Sequence, residues 1–396
     1  MASSVLTLGG ARTTRYGLPK SIHGLSSQQP VYWTEEGGAT MRIGTLSFLA
    51  GGVVDVDTGF VSSSGAGELP WYLTPLRAQG FLGRLLAQRL SAQGVDANPE
   101  RWGIETVLFA ALQLHDAPGA ITIGDPAEPA PAAEALPADT SRLPAALDTL
   151  AADVARTLPA GSSAGGEQPK FTARFDDGRH VLVKFTPPKG TPFGDRWGDL
   201  LHAEALASSV LAAHGVAVAA TTVVESDRRT YLVSERFDRV GARGRRHVVS
   251  VGAAHKAFVA AAYRHWGATC DALAVQRRLS RQDAARAHAL LQFGRLIGNA
   301  DMHAGNLGLI VAAEGLARGR FSLAPVYDML PMRWRPSAEL GGAPDYAAFE
   351  PDALSAGGPA VGPAHAFWVR LGEHPRVSVA LRRVAVEMAG RIVTSR

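Results

Sequence analysis

Gly298-Asn299-Ala300-Asp301-Met302-His303-Ala304-Gly305-Asn306 decides how this 396-residue chain is read. It follows an apolar, helix-like segment, ALLQFGRLI (289–297), and precedes an apolar, strand-like run, LGLIV (307–311). Asp301 and Asn306 stand five apart, the separation between catalytic base and metal-binding asparagine in a phosphoryl-transfer loop. Further on, FSLAPVYDMLP (321–331) places Asp328 after another short apolar strand, where a second metal-binding carboxylate would sit. A hard Mg²⁺ ion prefers oxygen, so Asn306 and Asp328 suit it and Asp301 is left to orient an acceptor hydroxyl. Each residue also has a plainer role: Asp301 or Asn299 can close a turn, His303 can satisfy a backbone group, and Asp328 can serve the turn before Pro331.

The order of residues upstream tips the balance. SSAGGEQPK (162–170) runs into strand-like FTARF, and small residues between strands let backbone amides approach phosphate oxygens. HVLVKF (180–185) then sets Lys184 among apolar neighbours, and the helix-like LLHAEALASSVLAAHGV sets Glu204 twenty residues later. A strand lysine that holds phosphates, fixed by a helix glutamate, arrives in that order in kinase chemistry. Singly, Lys184 is a snorkelling lysine and Glu204 a solvated helix face. TYLVSERFDRV ends a strand in a polar hinge at Glu235-Arg236-Phe237, where backbone groups and apolar walls can receive an adenine ring. Lys184, Glu204, Asn306 and Asp328 are the candidates this order marks.

Composition sets the outer bounds. A hydrophobic content of 46% can fill cores, and 40 Lys+Arg against 36 Asp+Glu leave a net charge of +4, a mild excess that does not by itself imply nucleic acid. The single cysteine, Cys270, excludes an intrachain disulfide and fits a reducing, cytoplasmic setting. No run approaches the ~20 apolar residues of a membrane span, and the N-terminus lacks a signal-peptide core.

The first half is less specific. Residues 1–35, including ARTTRYGLPK, read as a basic strand and loop with little core of their own. RIGTLSFLAGGVVDVDTG (42–59) reads as a strand pair split at Gly51-Gly52. Leu82, Leu85, Leu86 and Leu90 predict a helix, Ile104 to Leu114 a second, and Ala120 to Ile123 a short strand. DPAEPAPAAEALPADTSR (125–142) predicts an exposed linker. The expected units are 1–35, 36–142, 143–238 as the core of an N-lobe, and 239–396 as a helical C-lobe.

Together, SSAGGEQPK, VLVKF, SERFDRV, NADMHAGN and VYDMLP resemble the HipA family of bacterial serine/threonine kinases, in its YjjJ-like branch, from about residue 40 to the C-terminus. The resemblance implies an α+β, two-lobed protein kinase fold with a strand-rich N-lobe and a helical C-lobe. It also implies ATP and Mg²⁺ as cofactors, and a toxin role in a type II toxin–antitoxin setting with an antitoxin partner. The implied substrate is a cytoplasmic protein such as one of the translation apparatus. The family's base falls on Asp301, its metal ligands on Asn306 and Asp328, its phosphate-binding lysine on Lys184, and its autophosphorylated serine on Ser163. The resemblance implies a nucleotide site that also takes in Gly165, Gly166, Glu167, Gln168, Lys170, Glu235, Phe237, His303 and Tyr327. A phosphate on Ser163 would repel ATP phosphates and favour an open flap.

The sequence departs from ordinary kinases in lacking G-x-G-x-x-G, H-R-D and D-F-G. YjjJ-like proteins resemble a HipA kinase preceded by a winged helix, and ARTTRYGLPK looks like the last strands of such a wing without its helices, so DNA binding by this chain alone is not expected. Two other classes remain open: a catalytically silent kinase-fold binding module, and a DNA-binding component using Arg236, Arg239, Arg243, Arg245 and Arg246, a run that reads more simply as a solvated loop.

Overall fold

The computed structural model describes residues 5–8, 14–114, 116–125, 135–157, 168–337, 342–351 and 357–394. β1 (Leu6–Leu8) and β2 (Arg15–Gly17) form a two-stranded antiparallel ladder. Next in the chain are β3 (Gln28–Thr34), β4 (Thr40–Leu49), β5 (Val53–Thr58) and β6 (Ser62–Ala66). The expected strand pair is β4–β5, turned at Gly51 and Gly52, whose φ of 76° and 73° suit glycine. α1 (Gly80–Leu90) and α2 (Ile104–Leu112) lead to β7 (Ile121–Ile123), which completes a five-stranded sheet in the order β6-β5-β4-β3-β7. Leu46, Phe48, Val54 and Val56 of this sheet share a core with Tyr72, Leu73, Val107 and Leu108. Because β3 pairs with both β4 and β7, residues 28–34 are an inner strand of this sheet rather than part of a separate unit spanning 1–35.

The next unit begins before its first long element. Leu136 is buried, its N–H donates to Arg174 O (2.8 Å), and its carbonyl accepts from Asp176 N–H (2.9 Å). The expected linker is therefore docked at Leu136, while residues 126–134 lie outside the described ones. An apolar side chain within a Pro/Ala-rich stretch had a partner that the stretch itself does not reveal. α3 (Leu143–Thr157), β8 (Lys170–Arg174), β9 (His180–Phe185), α4 (Pro192–Ala213), β10 (Thr221–Glu225) and β11 (Thr230–Glu235) then build an antiparallel sheet in the order β10-β11-β9-β8. Alternation in β9 sends Val181, Val183 and Phe185 into one core with Leu143, Leu147 and Ala151 of α3. Lys184 consequently stands on the other face, where α4 lies.

The last part is mainly helical: β12 (Arg239–Val240), β13 (Gly244–Arg245), β14 (His247–Ser250), α5 (Val251–Phe258), α6 (Trp266–Val275), α7 (Arg281–Leu296), β15 (Gly308–Val311), β16 (Ser322–Leu323), α8 (Val361–Gly372) and α9 (Val379–Thr394). β14, β15 and β16 form a small sheet against which the critical loops are anchored. Ser280 caps α7 by accepting from Asp283 N–H (2.9 Å), and Trp368 Nε1 donates to Leu296 O (3.0 Å) at its other end. No described helix is long and apolar enough to cross a membrane.

Candidate active site

Lys184 is the point where the two halves meet. Its ammonium donates to both carboxylate oxygens of Glu204 on α4 (2.6 and 2.8 Å) and to Asp328 Oδ1 (2.5 Å), after β16. The lysine and Glu204 side chains are only 7% and 4% exposed, whereas Asp328 is 27% exposed. Burial works against the lysine's charge, but Asp328 and Glu204 outweigh it and hold its pKa above the ordinary lysine value. Burial would likewise raise Asp328, yet Lys184, with Lys170 as a second cation, holds that carboxyl below the usual range. For Glu204 the balance reverses: burial raises its pKa more than Lys184 lowers it. Asp328 is thus the more firmly ionised carboxylate, and it is the one that water can reach.

The loop after α7 is built around Gly298 and Asn299. Gly298 takes φ 75°, and a Cβ there would lie 3.0 Å from the Phe349 ring. Buried Asn299 accepts from Asp301 N–H (3.0 Å) and donates to Asp328 O (3.3 Å), joining the two loops. Asp328 itself has φ 62°, a left-handed conformation uncommon for a side chain that is not glycine. Asn306 Nδ2 donates to Asp301 O (2.7 Å), closing the five-residue interval and leaving the amide oxygen for another partner. The Asp301 carboxylate is 38% exposed, with His303 Nε2 3.9 Å away. His303 Nδ1 accepts from Gly305 N–H (2.9 Å), and its carbonyl accepts from Trp266 Nε1 (2.9 Å). Tyr327 donates to Gly305 O (3.2 Å), and its ring stacks on Phe237 with centroids 5.6 Å apart.

The other expected residues divide. Lys170 pairs in register with Lys184, and buried Gln168 donates to Phe185 O (2.7 Å). Ser162, Ser163, Gly165, Gly166 and Glu167 lie outside the described residues. Glu235 ends β11 with an exposed side chain paired to Arg179 (3.0 Å), and its N–H donates to Ala220 O (2.8 Å). Phe237 N–H donates to nothing among the described residues and lies beside the aromatic stack. The arginine run is solvated only in part: Arg236 and Arg239 are 9% and 4% exposed and paired with Asp116 and Asp238, whereas Arg243 is exposed and Arg246 pairs with exposed Glu36 (2.9 Å). Asp238 lies within the run, but Asp116 and Glu36 come from distant sequence, which a charge run cannot display. Sequence reasoning gave Asn299 a turn-closing role, which its bond to Asp301 N–H matches, and missed its bond to Asp328 O, whose partner is too far along the chain for a local spacing to signal.

Residues 162–390 match the model of the HipA-like C-terminal domain, and residues 25–130 match the YjjJ-like toxin, middle domain. The chain is 36% identical over 418 aligned positions to Toxin YjjJ of Escherichia coli (strain K12), an alignment covering 98% of this chain and 89% of that protein. The chain belongs to the HipA-like toxin family. HipA in the complex of the Shewanella oneidensis MR-1 toxin–antitoxin system HipA, HipB and its operator DNA superposes with a TM-score of 0.60 at 16% identity, over 93% of this chain and 96% of that one. The fold is accordingly the HipA-like two-lobed kinase fold, α+β, with a strand-rich N-lobe and a helical C-lobe.

In this HipA-like chain the donors near Lys184 fit a magnesium ion. Asp328 keeps one carboxylate oxygen beyond the one that Lys184 holds, and Asn306 keeps its amide oxygen. Mg²⁺ retains several waters and is usually bound through one or two carboxylates plus substrate phosphates, so a small set of hard oxygens is the expected pattern. Among the described residues no cluster of three or more His, Cys, Asp or Glu side chains offers a rival site.

Proposed function

We propose that this HipA-like toxin is an ATP-dependent protein serine/threonine kinase that transfers a γ-phosphate to a hydroxyl of a cytoplasmic protein. The observation that carries this reading is the buried Lys184–Glu204 pair reaching across to Asp328. Glu204 holds the Lys184 ammonium where phosphate oxygens would lie, and Asp328 and Asn306 present hard oxygens to Mg²⁺. Asp301, exposed and held by Asn299 and Asn306, can take the proton of an acceptor hydroxyl. Phe237 and Tyr327 wall an adenine site towards which Phe237 N–H can donate, with Lys170, Gln168 and His303 around the phosphates. Bound Mg·ATP would supply the transferred group and neutralise its charge.

An antitoxin partner is proposed from the HipA–HipB complex of the structural relative. Arg236 and Arg239 are buried and paired with carboxylates, so they give no support to a DNA-binding role. Titrating purified protein with Mg·ATP and then measuring turnover separates the active kinase from a silent kinase fold. Binding with turnover is expected; binding without turnover in the presence of lysate proteins contradicts the enzyme reading.

A further inference from the structure

We propose that Asp116, carried by the connection between α2 and β7, is a positioning residue that sets the hinge from outside the kinase lobes. Asp116 Oδ2 accepts from Arg236 Nη1 (2.5 Å), and its Oδ1 accepts from Arg239 Nη2 (2.7 Å). Asp238 closes the ring from the other side, accepting from Arg236 Nη2 (2.9 Å) and Arg239 Nη1 (2.6 Å). Each carboxylate therefore bridges both guanidinium forks, in charge-assisted bonds of the strong kind that arginine makes with carboxylates. Phe237 lies between the two clamped arginines in sequence and stacks on Tyr327, the neighbour of Asp328. The position of the clamp is thus passed directly to the wall of the adenine site.

The loop that bears Asp116 is itself locked in place. Ala117 O accepts from Arg239 Nη2 (2.8 Å), Gly119 N–H donates to Asp238 Oδ2 (3.0 Å), and Ala120 N–H donates to His247 Nδ1 (3.3 Å). Gly119 has φ 86°, and a Cβ there would meet His247 Nδ1 at 2.8 Å. Without Asp116, Arg236 and Arg239 would share Asp238 alone, with Arg245 as a third partly buried guanidinium close by. The YjjJ-like middle domain, residues 25–130, holds the residue; the hinge belongs to the HipA-like domain, residues 162–390.

This inference rests on reading residues 235–237 as the nucleotide hinge, and the test separates the two. Asp116→Asn keeps the shape and removes the charge. Its amide exchange at residues 235–239 is expected to rise while exchange in β9 and α4 stays at the wild-type rate, and its Mg·ATP affinity to fall about tenfold. Asp116→Glu should recover part of both. Unchanged hinge exchange, or a rise spread equally over β8–β11 and α4, overturns the proposal in favour of general support. If Asp116→Asn does not fold, Arg239→Lys, which keeps charge but loses the fork, is judged by the same two outcomes. A wild-type chain that binds no Mg·ATP refutes the nucleotide reading, and hinge exchange still decides the clamp.

Discussion

Replacing Lys184 by methionine tests the buried charge centre directly. The substitution takes from Glu204, 4% exposed, the ammonium that bonds both its oxygens, while Asp328, 27% exposed, can turn towards water. Removing one partner of a buried pair costs about 3–5 kcal/mol, because the remaining charge stays desolvated. That is a large share of the ~5–15 kcal/mol that holds a typical protein folded. The cost should depend on pH. Without Lys184 the folded-state pKa of Glu204 rises further above its ordinary value, since burial already raises it and the lysine's opposing effect is gone. A carboxyl with a raised folded pKa contributes stability below its unfolded pKa and loses it as pH climbs through the folded one. Urea unfolding followed by circular dichroism should therefore show a smaller deficit near pH 5 than near pH 8. The double variant Lys184→Met, Glu204→Gln should regain most of the loss at pH 8. A Lys184→Met protein as stable as the parent at pH 8, or with a deficit that does not change with pH, would refute the reasoning.

Asp301→Asn should lower phosphoryl transfer by about 10²–10⁴-fold while leaving Mg·ATP affinity within about twofold, as calorimetry and turnover together would show. Asp328→Ala should weaken nucleotide binding in the presence of Mg²⁺ and leave little difference between binding with and without the ion, which equilibrium titration measures. His247, whose pKa burial pushes down to about 4, stays neutral in the fold while the unfolded chain takes up a proton. Its contribution is complete above the unfolded pKa of about 6.5 and lost as pH falls from there to about 4, worth ~3 kcal/mol. His247→Gln should flatten that part of the stability profile in denaturant melts.

Part of the candidate site was legible because its residues are close in sequence. Asp301 and Asn306 sit in one loop whose spacing survives folding as a hydrogen bond, and Lys184 was marked by a charge inside an alternating strand. Its partner Glu204 lies twenty residues away on the next helix, so order alone suggested the pair. The features hidden from the sequence depend on distant partners. Arg236 and Asp116 are 120 residues apart, and Arg236 and Arg239 looked solvated until that counter-ion was in view. Leu136 looked like part of a linker because its neighbours are proline and alanine, yet its backbone extends the second sheet. Gln28–Thr34 looked peripheral because its main partners, β4 and β7, lie downstream on both sides of two helices.

The central claim, that Asp301 serves a protein kinase, is tested most directly by incubating the purified chain and its Asp301→Asn variant with γ-labelled ATP, Mg²⁺ and cell lysate, then identifying labelled residues by mass spectrometry. Label on serine or threonine of a lysate protein with the parent, and none with the variant, is the predicted result. Equal labelling by both, or no labelling by a parent that binds Mg·ATP, would contradict it.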